Sequence, residues 1–200
     1  MTIRKGEEWG TRIEVPARYT VAEDDADLAL CAPGEAVATR RGDMHRALGQ
    51  PGLPGPGGEC TLVTIDALRC TVTMRNGVVE ERMASSHVAF GSWWSGRHVV
   101  VSNSGFLDGL NIAPRSHPND GEADVLVLEA EMSLRQRLIA RRRARTGTHT
   151  PHPQVTIRRS TGFGHTKSHR RERLSLDGRA VPEWEHIEIM VVPDYWSVLL

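Results

Sequence analysis

Asn103-Ser-Gly-Phe-Leu-Asp-Gly-Leu-Asn-Ile-Ala-Pro-Arg-Ser-His-Pro-Asn-Asp-Gly-Glu-Ala-Asp-Val125 carries more information than any other part of this chain. Val99-Val-Val101 leads into it and Val125-Leu-Val-Leu128 leads out. Both are short, apolar and β-branched, as buried strands are. The connection between them is polar and punctuated by Gly105, Gly109, Pro114, Pro118 and Gly121. A loop of this length is costly to order in a small domain and is kept where it has a task. Asn119-Asp120-Gly121 supplies a tight turn just before the second strand.

The same texture extends on both sides. Thr61–Ile65 and Arg69–Met74 read as strands, Asn76-Gly77 as a two-residue hairpin turn, and Val78–Met83 as the return strand. His87–Gly91, His98–Asn103 and Ala123–Glu129 follow. Beyond residue 150, Gln154–Arg159, Arg173–Asp177, Ile187–Val192 and Trp196–Leu200 read the same way. Glu23–Leu30 and Met44–Leu48, the latter capped by Asp43, read as short helices. Ser133 opens a longer one that stops near Gly147, with Leu134, Leu138 and Ile139 as its narrow apolar stripe. The pattern predicts a mainly β fold: a two-layer antiparallel β-sandwich with two or three appended helices. Gln50-Pro-Gly-Leu-Pro-Gly-Pro-Gly-Gly58 forbids regular structure. It divides the chain into an N-terminal appendage, 1–58, and a sandwich domain, 59–200.

Two hundred residues with 39% hydrophobic and 25% charged content and zero net charge suit a globular protein with a real core. No apolar run is long enough to cross a membrane, and Met1–Glu8 lacks the apolar centre of a signal peptide. Cys31, Cys60 and Cys70 lack metal-ligand spacing and read as reduced thiols of a cytoplasmic protein. Charge is uneven. Between Ser133 and Arg173 twelve basic residues face one acid, Glu172, while Glu7 to Glu35 is mainly acidic. One face therefore meets an anionic partner, or the two halves pair.

In wording and spacing, Asn103–Val125 resembles the C-terminal domain of the diacylglycerol kinase and bacterial lipid kinase family, where the matching loop reads "N…GGG…iAP.A…DDGLLDV". The resemblance spans roughly Thr61 to Leu200. It implies a loop beside a lipid site, fastened by a structural divalent ion, Mg or Ca. The ligands would be the Asp120 carboxylate and the main-chain carbonyls of His117 and Glu122. An ordinary Asx-turn without metal is the other reading of the same residues.

Leu174-Ser-Leu-Asp177-Gly-Arg179 resembles the family's "p..vDGE" strand-turn. Its Glu is the general base that takes the lipid hydroxyl proton, and here Arg179 stands there. A guanidinium is not a base at physiological pH. Asp177 remains as a substitute base or as the shaper of the turn. The family's nucleotide motif, "GGDGT", does not occur, nor does a Walker sequence. No ATP site is identified.

The arginine-rich helix supplies forked donors for phosphate. Arg115, Arg141, Arg142 and Arg143, with Asn103, are the candidate ligand and phosphate contacts. A solvated helix face paired with the acidic N-terminal segment is the alternative. Few aromatics and neutral charge argue against nucleic acid. Trp93-Trp94 lines an apolar pocket or is simply core, and His149 and His152 read as structural.

Three functions are compatible with these residues. One is a stand-alone kinase-like domain that binds a lipid or another phosphorylated amphipathic ligand without phosphorylating it. Another is a half-enzyme that docks a separate ATP-binding kinase subunit. The third is a structural or regulatory module. Met1 and the folded-looking start favour a chain that stands alone. The location implied is cytoplasmic, peripheral at the membrane surface if lipid is the ligand.

Overall fold

Valine-rich runs separated by glycine turns fold the described residues, 9–200 of the computed structural model, into strands with three short helices. In chain order they are β1 (Thr11–Glu14), β2 (Thr20–Ala22), α1 (Asp25–Leu28), β3 (Ala36–Thr39), α2 (Asp43–Ala47), β4 (Glu59–Met74), β5 (Val79–Ala84), β6 (His87–Ser92) and β7 (Ser95–Ser102). Then come β8 (Phe106–Leu107), β9 (Leu110–Asn111), β10 (Ala123–Leu128), α3 (Leu134–Ala144), β11 (Val155–Ser160), β12 (Gly162–Thr166), β13 (Leu174–Leu176), β14 (Arg179–Ala180) and β15 (Trp184–Leu199). The expectations for Met1–Glu8 lie outside the described residues.

Two layers face each other. The first sheet has the order β1-β4-β15-β3-β2, with β5 also on β4 and β12 also on β15; the second has the order β11-β10-β7-β6-β13-β14. Period-two alternation sets their faces. Val99, Val101, Val125 and Val127 point into the core between the sheets, with Leu68, Val72, Phe90, Trp184 and Ile187. Val100, Leu126 and Leu128 point the other way, under α3 and the loop around Ile112. The second sheet is thus covered on both faces, which explains its unbroken valine runs. The fold is the expected β-sandwich.

Several details differ from the expectation. The two strands expected at 61–65 and 69–74 are one, β4, because Asp66 stays extended and wholly buried inside it. The two expected at 187–192 and 196–200 are also one, β15, with a register shift between Val192 and Trp196 at Pro193-Asp194. Asp194 has φ 53, the left-handed backbone of such a bulge. Strand β12 was not anticipated.

The sheet also crosses the boundary expected at 58/59. β1 pairs with β4 from Thr11↔Leu62 to Glu14↔Glu59, and β3 pairs with β15. The pairs β3–β15 and β2–β3 are parallel, so the sandwich is antiparallel except for the strands the N-terminal segment adds. Ala22, Leu28, Val37 and Met44 share one core with Val63, Ile65 and Trp196. The Pro/Gly segment is stitched back by Val15 N–H to the Gly58 carbonyl (2.9 Å) and by the Tyr19 hydroxyl to the Pro54 carbonyl (2.8 Å).

Helix α3 begins as its sequence predicts, with a capping box between Ser133 and Gln136. Its rotation is the reverse of the prediction. Arg137, Ala140 and Ala144 face inward, while Leu134, Leu138 and Ile139 are exposed. Arg137 explains this. Its guanidinium donates to the carbonyls of Met132 (2.9 Å), Trp93 (2.8 Å), Glu129 (2.8 Å) and Gly96. Four acceptors take four of its five N–H donors, so a buried charge is tolerated there.

Candidate functional site

A cavity of about 680 Å³ opens on the second sheet, between β6, β13–β14 and the turn of the β8–β9 hairpin. Trp93, Trp184, Leu107, Val181 and Pro182 give it apolar walls, and its charged lining is mixed: Arg141, Lys167 and Arg173 stand with Asp108, Glu172 and Glu183. Lys167 lies 5.2 Å from the centre of the Trp184 ring and donates to the Trp184 carbonyl at 3.2 Å. Arg141 lies 5.5 Å from the Trp94 ring. Arg141 and Arg173 have no carboxylate within ion-pair distance among the described residues. His165 and Glu172 form a half-closed pair at 3.0 Å beside Phe90 and Trp184. The Glu172 carboxyl is held below its ordinary range: burial, the largest influence, pushes it up, and bonds from Ser168 and His165 together outweigh that.

His87, Asp108 and Gly178 also line a smaller polar recess of about 320 Å³, completed by Asp25, Gly42, Asp43, Arg46, Gly109 and Asp177. The recess is built by carboxylates that hold backbone. Asp25 accepts the N–H groups of Asp43 (2.7 Å) and Met44 (3.0 Å), and so caps α2 from across the structure. The capping position itself is Gly42, at φ 113, where a Cβ would collide with the Asp25 carboxylate. Asp43, expected to cap α2, instead accepts the N–H groups of Asp108 (2.8 Å) and Gly109 (2.7 Å) at the β8–β9 turn. Asp177, at φ 46, accepts from Ser85 (2.7 Å), Ser86 (2.9 Å) and His87 (2.9 Å). Burial pushes Asp25 up to about 6 and Asp177 up to about 7, against the lowering effect of those N–H bonds.

His87 sits buried at the meeting of the two spaces. Its Nδ1 is 3.3 Å from the Ser86 hydroxyl and 3.7 Å from the Asp43 carboxylate. Burial lowers its pKa despite Asp43 and Asp108, so the imidazole is neutral at physiological pH. A neutral imidazole sharing a recess with the raised carboxyls of Asp25 and Asp177 is the kind of grouping that exchanges protons with a ligand.

The long loop is fastened from two sides. Inside, the Asp66 carboxylate accepts the N–H groups of Gly121 (2.8 Å) and Asp194 (3.0 Å), and Asp66 N–H bonds to the Pro118 carbonyl at 2.7 Å. Burial pushes Asp66 up to about 6. Outside, the Arg159 guanidinium lies 3.3 Å from Asp120, 3.6 Å from Glu122 and 4.0 Å from Asp124, and donates to the Arg115 carbonyl at 2.7 Å.

The Asp120 carboxylate is taken up by protein donors at this turn. Asp120 spends one oxygen on Glu122 N–H (3.2 Å) and the other on Arg159. His117 turns its ring to Asn119 N–H and to Trp9. Among the described residues no three His, Cys, Asp or Glu side chains converge as a metal site. Asp120 closes an Asx-turn on Glu122 N–H.

The remaining candidates are dispersed. Of the arginines expected at phosphate, Arg141 lines the large cavity. Arg142 and Arg143 are exposed, and Arg143 borders a separate small space with buried His149 and half-buried His152. Arg115 is exposed on the loop. Asn103 is buried, and its Nδ2 ties the Asp66 carbonyl (2.8 Å) to the Ser85 carbonyl (3.3 Å). Arg179 is exposed, 3.5 Å from Asp24. It borders a second cavity, about 800 Å³, between α1 and β5. Sequence reasoning missed His87, Asp25, Asp66, Lys167 and Trp184. For Asp66 and His87 the one signal is a polar residue inside a strand-like run, as in Ile65-Asp-Ala67 and Ser85-Ser-His-Val88.

Comparison with known proteins gives the chain relatives. Residues 64–199 match the model of the "YegS C-terminal NAD kinase beta sandwich-like domain". A diacylglycerol kinase-like protein from Bacillus anthracis str. Sterne aligns with 82% of this chain and 69% of its own, at 10% identity and TM-score 0.55. Yeast NADH kinase complexed with NADH aligns with 90% of this chain and 60% of its own, at 9% identity and TM-score 0.53. At such identities the likeness is one of fold. No curated protein matches the chain. No helix among the described residues is long and apolar enough to cross a membrane.

Proposed function

Because the chain belongs to the family of the YegS C-terminal NAD kinase beta sandwich-like domain, we propose that it binds a lipid phosphate, or another phosphorylated amphipathic ligand, in the cavity beside His87. The observation that carries this reading is the pairing of aromatic walls, Trp93 and Trp184, with the cations Arg141, Lys167 and Arg173 in one cavity of about 680 Å³. Apolar lining with a few convergent polar groups is what small-molecule sites use. Among the described residues Arg141 and Arg173 form no ion pair with a carboxylate, which leaves their guanidinium forks for phosphate. The ligand is held, and the chain does not phosphorylate it alone. The free thiols Cys31, Cys60 and Cys70 support a reducing, cytoplasmic setting.

Native mass spectrometry of the protein as purified from cells tests this. A retained phospholipid or phosphorylated ligand, lost in Lys167→Ala/Arg173→Ala, supports it. A bare chain that gains no thermal stability from dioctanoyl phosphatidic acid removes it.

A second reading is favoured by the polar recess. Neutral His87 beside Asp43 and Asp177 is more than an inert binder requires. On this reading the chain is one half of a phosphotransferase and docks a separate nucleotide-binding subunit. Phosphorylation of a lipid by the purified chain and such a partner together, lost in His87→Gln, supports it; equal transfer by His87→Gln counts against it.

A further inference from the structure

We infer that the outward face of α3, together with Trp94 on the β6–β7 turn, docks on a bilayer surface containing anionic phospholipid. Leu134 is 57% exposed, Leu138 51%, Ile139 43% and Trp94 47%, whereas Arg137 of the same helix is 1% exposed. A helix on a protein surface ordinarily does the opposite. The four-carbonyl clamp on Arg137 prevents α3 from rolling its apolar residues inward. Their exposure is therefore built into the fold: three large apolar side chains stand on the solvent face of one helix, interleaved with arginines.

Charge identifies the occupant. Arg135, Arg142 and Arg145 share the exposed surface with these side chains, and no acid occurs from Ser133 to Arg145. Viewed down the helix, Arg135 and Arg142 lie between Leu138 and Ile139, and Leu134 lies beside Arg145. The partner must present anions and hydrocarbon side by side over the width of one helix. The boundary between headgroups and acyl chains of an anionic leaflet does so. A polyanion such as nucleic acid has no use for the leucines. Trp94, with Arg141 over its ring, suits the same boundary.

Trp94 and Arg141 also line the large cavity. Docking would therefore bring the cavity to the membrane. That consequence rests on the function proposed above; the docking itself does not.

The test is co-sedimentation of the full chain with vesicles of phosphatidylcholine alone and of phosphatidylcholine with phosphatidylserine, alongside tryptophan fluorescence. Binding should appear with phosphatidylserine only, shift Trp emission to the blue, and weaken as salt is added. Arg135→Gln/Arg142→Gln should weaken it by about fivefold per arginine. Leu134→Ser/Leu138→Ser, with charge intact, should weaken it as well. Both pairs are exposed, and an unchanged melting temperature verifies their folding.

Absence of binding at low salt overturns the inference. So does loss in the arginine variant with none in the leucine variant, since the face would then bind any polyanion. Vesicle binding without a cavity ligand would sink only the earlier reading; a cavity ligand without vesicle binding would sink only this one.

Discussion

The Asp177 carboxylate accepts the His87 N–H at 2.9 Å, joining the β13–β14 turn to the start of β6 across ninety residues of chain. The same carboxylate holds Ser85 and Ser86 N–H. Asp177→Ala leaves three N–H groups without their acceptor. It should destabilise the protein by about 3 kcal/mol and displace His87 from Asp43. Urea unfolding measures the first effect, and the His87 ring resonances in NMR the second.

The raised pKa of Asp177 makes part of the stability depend on pH. An ordinary aspartate titrates near 4, the folded one near 7. The folded state therefore binds the proton more tightly. Its contribution is fully present below about pH 4 and is lost as pH rises through about 7. Buried His98, lowered to about 4, acts in the opposite sense: its contribution is present above about pH 6.5 and is lost as pH falls through about 4. The difference between variants isolates the aspartate. From about pH 5 to about pH 8, the unaltered protein should lose roughly 1–3 kcal/mol relative to Asp177→Asn. A flat difference in urea midpoints across that range would contradict this.

Arg159 supplies the positive charge at the Asp120 turn. Half-exposed as it is, its removal should cost less than about 1 kcal/mol. The consequence lies elsewhere: Asp120, Glu122 and Asp124 would then face each other without a cation. Calcium should raise the melting temperature of Arg159→Ala and leave the unaltered protein where it is. A calcium response in the unaltered protein, abolished by Asp120→Ala, would restore the metal to the loop.

Arg137→Ala removes a donor from each of four carbonyls and with it the bolt of α3. The expected loss is about 3 kcal/mol. Arg142→Ala, five residues on and exposed, should cost no more than about 0.5 kcal/mol. Equal losses in thermal unfolding would mean that Arg137 is not what seats the helix.

How far the chain could be read varied with the physics of each part. Val99–Val101, Ala123–Leu128 and the Ser133 cap announced themselves, because alternation and capping are local properties. Asp66 did not: its acid breaks the apolar pattern of β4, and only the distant turn at Gly121 and the bulge at Asp194 show why it is buried. The Pro/Gly stretch at 50–58 read as a boundary because those residues forbid strands. They do not forbid the strands on either side from pairing, and β1 and β4 do.

By itself the sequence determined the strand runs, the turns, the start of α3 and the resemblance of Asn103–Val125 to the family later found by comparison. These follow from periodicity and backbone chemistry within a few residues. Tertiary structure alone decided which way α3 faces and that Arg159 answers Asp120. It also decided that Asp25, Asp43, His87 and Asp177, drawn from four separate segments, share one recess. Each of those outcomes depends on which buried polar group finds its partner across the fold. The partners that build the recess lie from 18 to 92 residues apart in sequence, beyond the reach of any local pattern.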